Sequence, residues 1–160
     1  MTIVVQYEGI PGESTIQGFE KYIEVDSFQL GVGRHIASAF GTSTREGGIV
    51  SISEITVVKK TDGTSVKLFE EACMGKLNKK VDFKFLRTGS GAPQEFLAFE
   101  TNGTGISGLS FSASGGGDSR PMESLSFNFD KISIKYNPIG DDFSGSPATW
   151  GWDLAKAAKL

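Results

Sequence analysis

The chain has 160 residues, 38% hydrophobic and 22% charged, with a net charge of −3. That length and composition suit one domain with a full core, and they exclude a disordered chain. The slight negative charge offers no basic footprint for nucleic acid. The opening MTIVVQYEGI lacks a basic n-region and carries only a short apolar run. It is therefore not read as a secretory signal, and no apolar run is long enough for membrane insertion as a helix. Glycine at 21 and phenylalanine at 12, among short apolar alternations, point to a mainly β fold with many turns.

TIVVQYE reads as the first strand, closed by the turn GIPGES. In KYIEVDSFQLGVG, Ile23 and Val25 share one alternation phase, and Phe28, Leu30 and Val32 share the other. The slip falls at Asp26–Ser27. Phe28, Leu30 and Val32 are expected in the core, which puts Ser27 and Gln29 on the opposite face. A long polar connector follows, residues 35–48, with Ala37, Ala39 and Phe40 as its only apolar side chains able to dock. GGIVSISEITVVKK repeats the slip at Ser53–Glu54, between Val50 and Ile52 and then Ile55 and Val57.

A helix is predicted over about 64–74. Thr64 or Ser65 is its N-cap, Val66, Phe69 and Cys73 form an apolar stripe widened by Leu68 and Ala72, and Gly75 is the C′ residue. It plugs or flanks the sheets. KKVDFKFLR, PQEFLAFET and GISGLSFSAS read as further strands, with Asn102-Gly103 as a hairpin turn between the last two. SASGGGDSRPMESLSFNFDKISIKYNPI starts as a glycine turn. It then places Leu125, Phe127 and Phe129 in one phase and Ile132, Ile134 and Tyr136 in the other, with the slip at Asp130–Lys131. In the C-terminal segment 137–160, NPIGDDFSGSPATWG reads as a surface loop, and Trp150 and Trp152 share a face if extended.

One residue of slip turns every later side chain to the other face. The slips fit β-bulges in bent barrel strands, or strands that cross between the sheets of a sandwich. Strands buried on both faces are the bland alternative. The expected fold is a two-sheet β-barrel or sandwich with one flanking α-helix.

Little in the sequence points to chemistry. Cys73 is the one cysteine, expected as a buried hydrophobe, and an intrachain disulfide is impossible. His35 is the one histidine, so no imidazole pair is available for a metal. The GGG of SGGGDSR has no following helix and no P-loop lysine, so it reads as a turn and not a phosphate cradle. Asp141-Asp142 read as solvated, and Asn102-Gly103-Thr104 is a sequon expected to stay unmodified. No catalytic residue, metal or cofactor is assigned, and the chain is read as not an enzyme.

SGGGDSRPMESLSFNFDKISIKY resembles the signature of the haemolysin-coregulated protein (Hcp) family, the inner-tube subunit of bacterial type VI secretion. GIPGEST resembles the family's Gly-Glu-Ser turn, IEVDSF its Ile-x-Val strand, VVKKTDGTSVKLFEEACMGK its strand-to-helix junction, and GWDL its C-terminal motif. The order matches and nearly the whole chain, 1–160, is covered as a single Hcp-like domain. The resemblance implies hexameric rings that stack into a tube within a contractile sheath, under a spike protein, carrying or chaperoning effectors in the lumen. It implies folding in the bacterial cytoplasm and secretion without a cleaved signal peptide. On that basis Ser27 and Gln29 are expected to face the lumen. Ala37, Phe40, Thr44, Arg45 and Glu46 are expected to form a ring-stacking loop, although the connector matches the family poorly. The competing readings are a monomeric β-sandwich binding carbohydrate on Trp150 and Trp152, and a hydrolase with an unrecognised site.

Overall fold

The computed structural model describes residues 1–36, 47–89, 91–117, 119–138 and 146–160. Strands β1 (Thr2–Tyr7), β2 (Ile23–Val25), β3 (Ser27–Gln29), β4 (Val32–Ile36), β5 (Gly47–Ile52) and β6 (Ile55–Lys60) precede helix α1 (Ser65–Met74). After it come β7 (Lys79–Arg87), β8 (Gln94–Ser112), β9 (Met122–Asn128), β10 (Lys131–Tyr136), β11 (Ala148–Asp153) and β12 (Ala158–Lys159).

Two antiparallel sheets face each other without closing into a barrel. Sheet A has the order β12-β11-β10-β8-β7-β1-β2, and sheet B the order β3-β6-β9-β8. A separate hairpin pairs β4 with β5. The connector is therefore shorter than 35–48: His35 and Ile36 end β4, and Gly47 and Gly48 begin β5.

All three phase slips mark a change of pairing partner. The chain leaves β1 for β6 at Asp26, whose N–H bonds the Val58 carbonyl at 2.7 Å. It leaves the hairpin for sheet B at Ser53–Glu54, and it leaves sheet B for sheet A between β9 and β10. A strand that crosses between facing sheets must swap the side it buries, and the alternation records the swap.

A fourth crossing replaces the expected hairpin. Asn102-Gly103 lies inside β8, one 19-residue strand that pairs with β7 and β10 in sheet A and then with β9 in sheet B. Gly103 has φ +62°, and a Cβ there would lie 2.8 Å from Cγ of Asp130, so the corner needs glycine on both counts. The corners are tied together, because the Asp130 N–H bonds the Asn102 carbonyl at 3.0 Å and the Leu154 N–H bonds the Asp130 carbonyl at 2.8 Å. The glycine turn is present between β8 and β9, with Gly116 at φ +88°.

The core fills the space between the sheets with Ile55, Val57, Phe83, Phe127 and Leu125, all essentially inaccessible. Phe28 stacks on Phe99 at 5.2 Å and meets Phe83 edge-on at 5.4 Å. Burying each such ring is worth roughly 2–3 kcal/mol against leaving it exposed.

The helix sits over one open side of this sandwich, turned by one residue from the expected register. Ser65 and Leu68 are buried and Ala72 packs on the core, while Val66, Phe69 and Cys73 face outward. Thr64 occupies the N-cap position without capping through its side chain; Asp62 accepts the Thr64 N–H at 2.9 Å instead. Gly75 is extended (φ −67°, ψ 151°), not left-handed, and a Cβ on it would press 2.6 Å from the Glu71 carbonyl oxygen. Val32, Ile134 and Tyr136, expected in the core, are exposed. Ala148–Gly151, expected in a surface loop, open strand β11.

Candidate functional surfaces

The outward face of sheet B carries no charge across its centre. Register places Gln29, Thr56, Ser126 and Gly108 in one cross-strand row, and Ser27, Val58, Ser124 and Ser110 in the next. Ser27 and Gln29 are exposed, as expected from the slip at Asp26, and they belong to a broader hydroxyl-rich panel that single-strand reading does not reveal. The inward neighbours Phe28, Val57, Leu125 and Leu109 hold these strands on the core. The panel is polar enough to stay wet, and short side chains leave it smooth.

A second surface is a cleft of about 720 Å³ where sheet A extends past sheet B, under the β4–β5 hairpin. Val32, Ile52, Phe99, Ile132, Ile134, Trp150 and Trp152 line it, with Arg34 at its margin. The two indoles stack at 5.7 Å and 15°. Trp152 packs on the core, whereas Trp150 is half exposed. Among the described residues, the buried Nε1–H of Trp152 has no acceptor.

A third feature lies inside. Lys59 of β6 and Glu123 of β9 are cross-strand neighbours, both wholly buried, and form an ion pair. The Lys59 ammonium also donates to the Lys60 carbonyl (3.0 Å), Asp62 Oδ1 (3.1 Å) and Ser65 Oγ (3.4 Å). Ser65 Oγ donates to Glu123 at 2.9 Å. Burial pushes the Asp62 carboxyl up, but bonds from Thr64 and the Lys59 charge outweigh it and hold the group below its ordinary value. Glu13 completes the junction by accepting the Gly63 N–H at 2.9 Å. Lysine, serine and glutamate in contact resemble catalytic machinery, yet the ammonium is saturated by acceptors and walled from solvent. The group latches the helix N-terminus to sheet B.

The segment containing Ala37, Phe40, Thr44, Arg45 and Glu46 lies outside the described residues, as do Asp141 and Asp142. His35 is exposed in β4. Sequence reasoning missed the Lys59–Glu123 pair; the signal was a charge at an inward alternation position in each of two strands.

The motifs that carried the resemblance converge on the latch and the corners. Gly-Glu-Ser supplies Glu13 and buried Ser14, the strand-to-helix junction supplies Lys59, Asp62 and Ser65, and the glycine-turn signature supplies Glu123. A family model described as "Type VI secretion system effector, Hcp" matches residues 4–136. The chain belongs to the Hcp family. Hcp proteins are the tube subunits of type VI secretion, and the fold agrees with theirs. A solved structure of a type six secretion system protein is 26% identical, with a TM-score of 0.90 over 99% of both chains. Hcp1 from Salmonella typhimurium is 21% identical, with a TM-score of 0.76 over 99% of this chain and 98% of its own. A type VI secretion effector from Yersinia pestis is 20% identical, with a TM-score of 0.69 over 94% and 98%. A search of the curated proteins finds no match to the sequence. No helix among the described residues is long and apolar enough to cross a membrane.

Proposed function

We propose that this Hcp-family tube subunit assembles as a hexameric ring with the outward face of sheet B turned to the lumen. The supporting observation is the uncharged, hydroxyl-rich panel carrying Ser27, Gln29, Thr56, Ser124 and Ser126. A conduit wall must not hold what passes through it. Apolar surface would trap cargo by burial and a single sign of charge would trap it electrostatically; the panel carries no charge at its centre and a single half-buried apolar side chain, Val58, in one of its two rows. Rings stack into a tube that a contractile sheath expels beneath a spike protein, with effectors carried in the lumen. Segment 37–46, joining β4 to β5, makes the ring-to-ring contact. The chain is made in the bacterial cytoplasm, leaves through the secretion apparatus, and has a structural rather than catalytic role.

Light scattering and electron microscopy on the purified chain test this reading. A ring of six copies is expected at micromolar concentration, and tubes at higher concentration. Replacing Ala37 to Glu46 with a short Gly-Ser link is expected to keep rings and abolish tubes. A monomer under ordinary salt refutes the assembly; tubes from the shortened chain refute the role given to the segment.

A further inference from the structure

Helix α1 carries two stripes at the same spacing, and the outer one is apolar throughout. Ser65, Leu68 and Ala72 face the subunit's own core, while Val66, Phe69 and Cys73, one residue along, face outward. Phe69 is 55% exposed and Val66 79%. Phe69 lies 6.5 Å from the Phe111 ring at the end of β8, so strand and helix together build one uncovered apolar ridge. The cleft is its counterpart in shape. It is concave and apolar, and it holds an indole N–H without an acceptor.

Their positions matter as much as their composition. Sheet B runs β3-β6-β9-β8. The ridge flanks its β8 end. The cleft adjoins its β3 end, where the chain continues from Gln29 into Leu30 and Val32 on the cleft wall. Phe111 and Phe99, which belong to ridge and cleft, are twelve residues apart on a single strand, roughly 40 Å of contour. Ridge and cleft lie at opposite ends of the folded sheet B, so they can meet only between copies. A closed ring of wall panels needs a heterologous contact, one end of a panel against the other end of the next.

We infer that the Val66–Phe69–Phe111 ridge of one copy seats in the Trp150–Trp152 cleft of its neighbour, and that this is the lateral contact of the ring. The inference rests on the assembly reading above and names the surfaces that reading leaves open. Phe69 on the ridge and Trp150 in the cleft are already exposed in the subunit, so they can be altered without touching the core.

The test uses Phe69→Glu and Trp150→Arg in the full chain. Each is expected to reduce rings to monomers in light scattering while keeping the wild-type circular dichroism, with a melting temperature lowered only by the loss of assembly. Mixed together, the two have one intact ridge and one intact cleft between them. They should form a 1:1 dimer and no ring. Two native probes report the same contact. Cys73, the sole cysteine, should label at least tenfold more slowly in the wild-type ring than in the monomeric variants. Trp150 and Trp152, the only tryptophans, should emit to the blue in the ring. Rings that survive both substitutions, with Cys73 labelling unchanged by assembly, overturn the ridge-and-cleft contact and leave the ring reading standing. A wild-type chain that never leaves the monomer overturns both.

Discussion

The two sheets carry their charge on opposite sides. Sheet A faces outward with Lys80, Asp82, Lys84, Glu95 and Glu100, and inward with Phe83, Phe85 and Phe99. Sheet B faces outward with serine, threonine and glutamine at its centre, and buries Lys59 and Glu123 inside. An exterior wetted by mixed charge keeps a protein soluble. An uncharged hydroxyl face gives up that benefit for low adhesion, which suits a lumen wall. The buried pair is the corresponding oddity. Ion pairs in a core contribute little net stability over apolar packing, but removing one partner strands the other. Its role is to fix where the helix begins.

The sharpest way to break this contrast is to empty the inner side of sheet B of one charge. Lys59→Met leaves Glu123 unpaired and should lose about 3–5 kcal/mol of stability, read by urea unfolding of the subunit. Lys59→Met with Glu123→Leu should recover most of that loss. If the single variant is as stable as wild type, the latch is not structural. Gly103→Ala tests the strand both sheets share. Left-handed φ and the Asp130 side chain together predict a loss of about 2 kcal/mol.

Charging the quiet face has a different readout. Gln29→Arg should shift subunit stability by no more than about 0.5 kcal/mol and leave rings intact. It should change retention of effector cargo, measured by co-purification. Loss of rings would instead place Gln29 at a subunit contact.

The smallest effects belong to pH. Burial raises the Asp82 carboxyl, with Glu100 adding to the effect. A carboxyl raised in the fold costs stability once ionised, so Asp82→Asn should stabilise slightly at pH 7, the effect being reduced by solvent screening. That gain should vanish as acid protonates the wild-type group. Asp62 has the opposite sign. Its lowered value adds stability above the ordinary carboxylate range near 3.8, and the contribution is lost as pH falls through the folded value. Asp62→Asn should therefore destabilise at neutral pH and converge on wild type below that range.

The crossings were legible because alternation has a period of two and a change of sheet inserts a visible error. Crossing points Asp26, Ser53 and Asp130 could be read from apolar residues alone. The crossing in β8 could not. Its inward residues there are Thr101 and Thr104, which satisfy each other at 2.8 Å and look like surface in a sequence. With the slip hidden, Asn102-Gly103 carried only its hairpin signal. Polarity misled again at the helix. Positions 65, 68 and 72 have the same spacing as 66, 69 and 73, but the true inner stripe begins with a serine because the latch needs a hydroxyl. The exposure of Ser27 and Gln29 followed directly from the slip beside them. The cleft did not, since Val32 and Ile134 continue core-like alternations past the point where the opposing sheet ends.

The unbroken run of β8 has a mechanical consequence. Its backbone is hydrogen-bonded into both sheets, with one covalent turn at Gly103 between them. Force applied along one sheet is therefore carried into the other through the main chain, not through the sliding contact of apolar side chains. Separating the sheets demands that a whole ladder yield together, whereas peeling from an end would break one bond at a time. Single-molecule pulling across β8 should show one high rupture force, and Gly103→Ala should lower it.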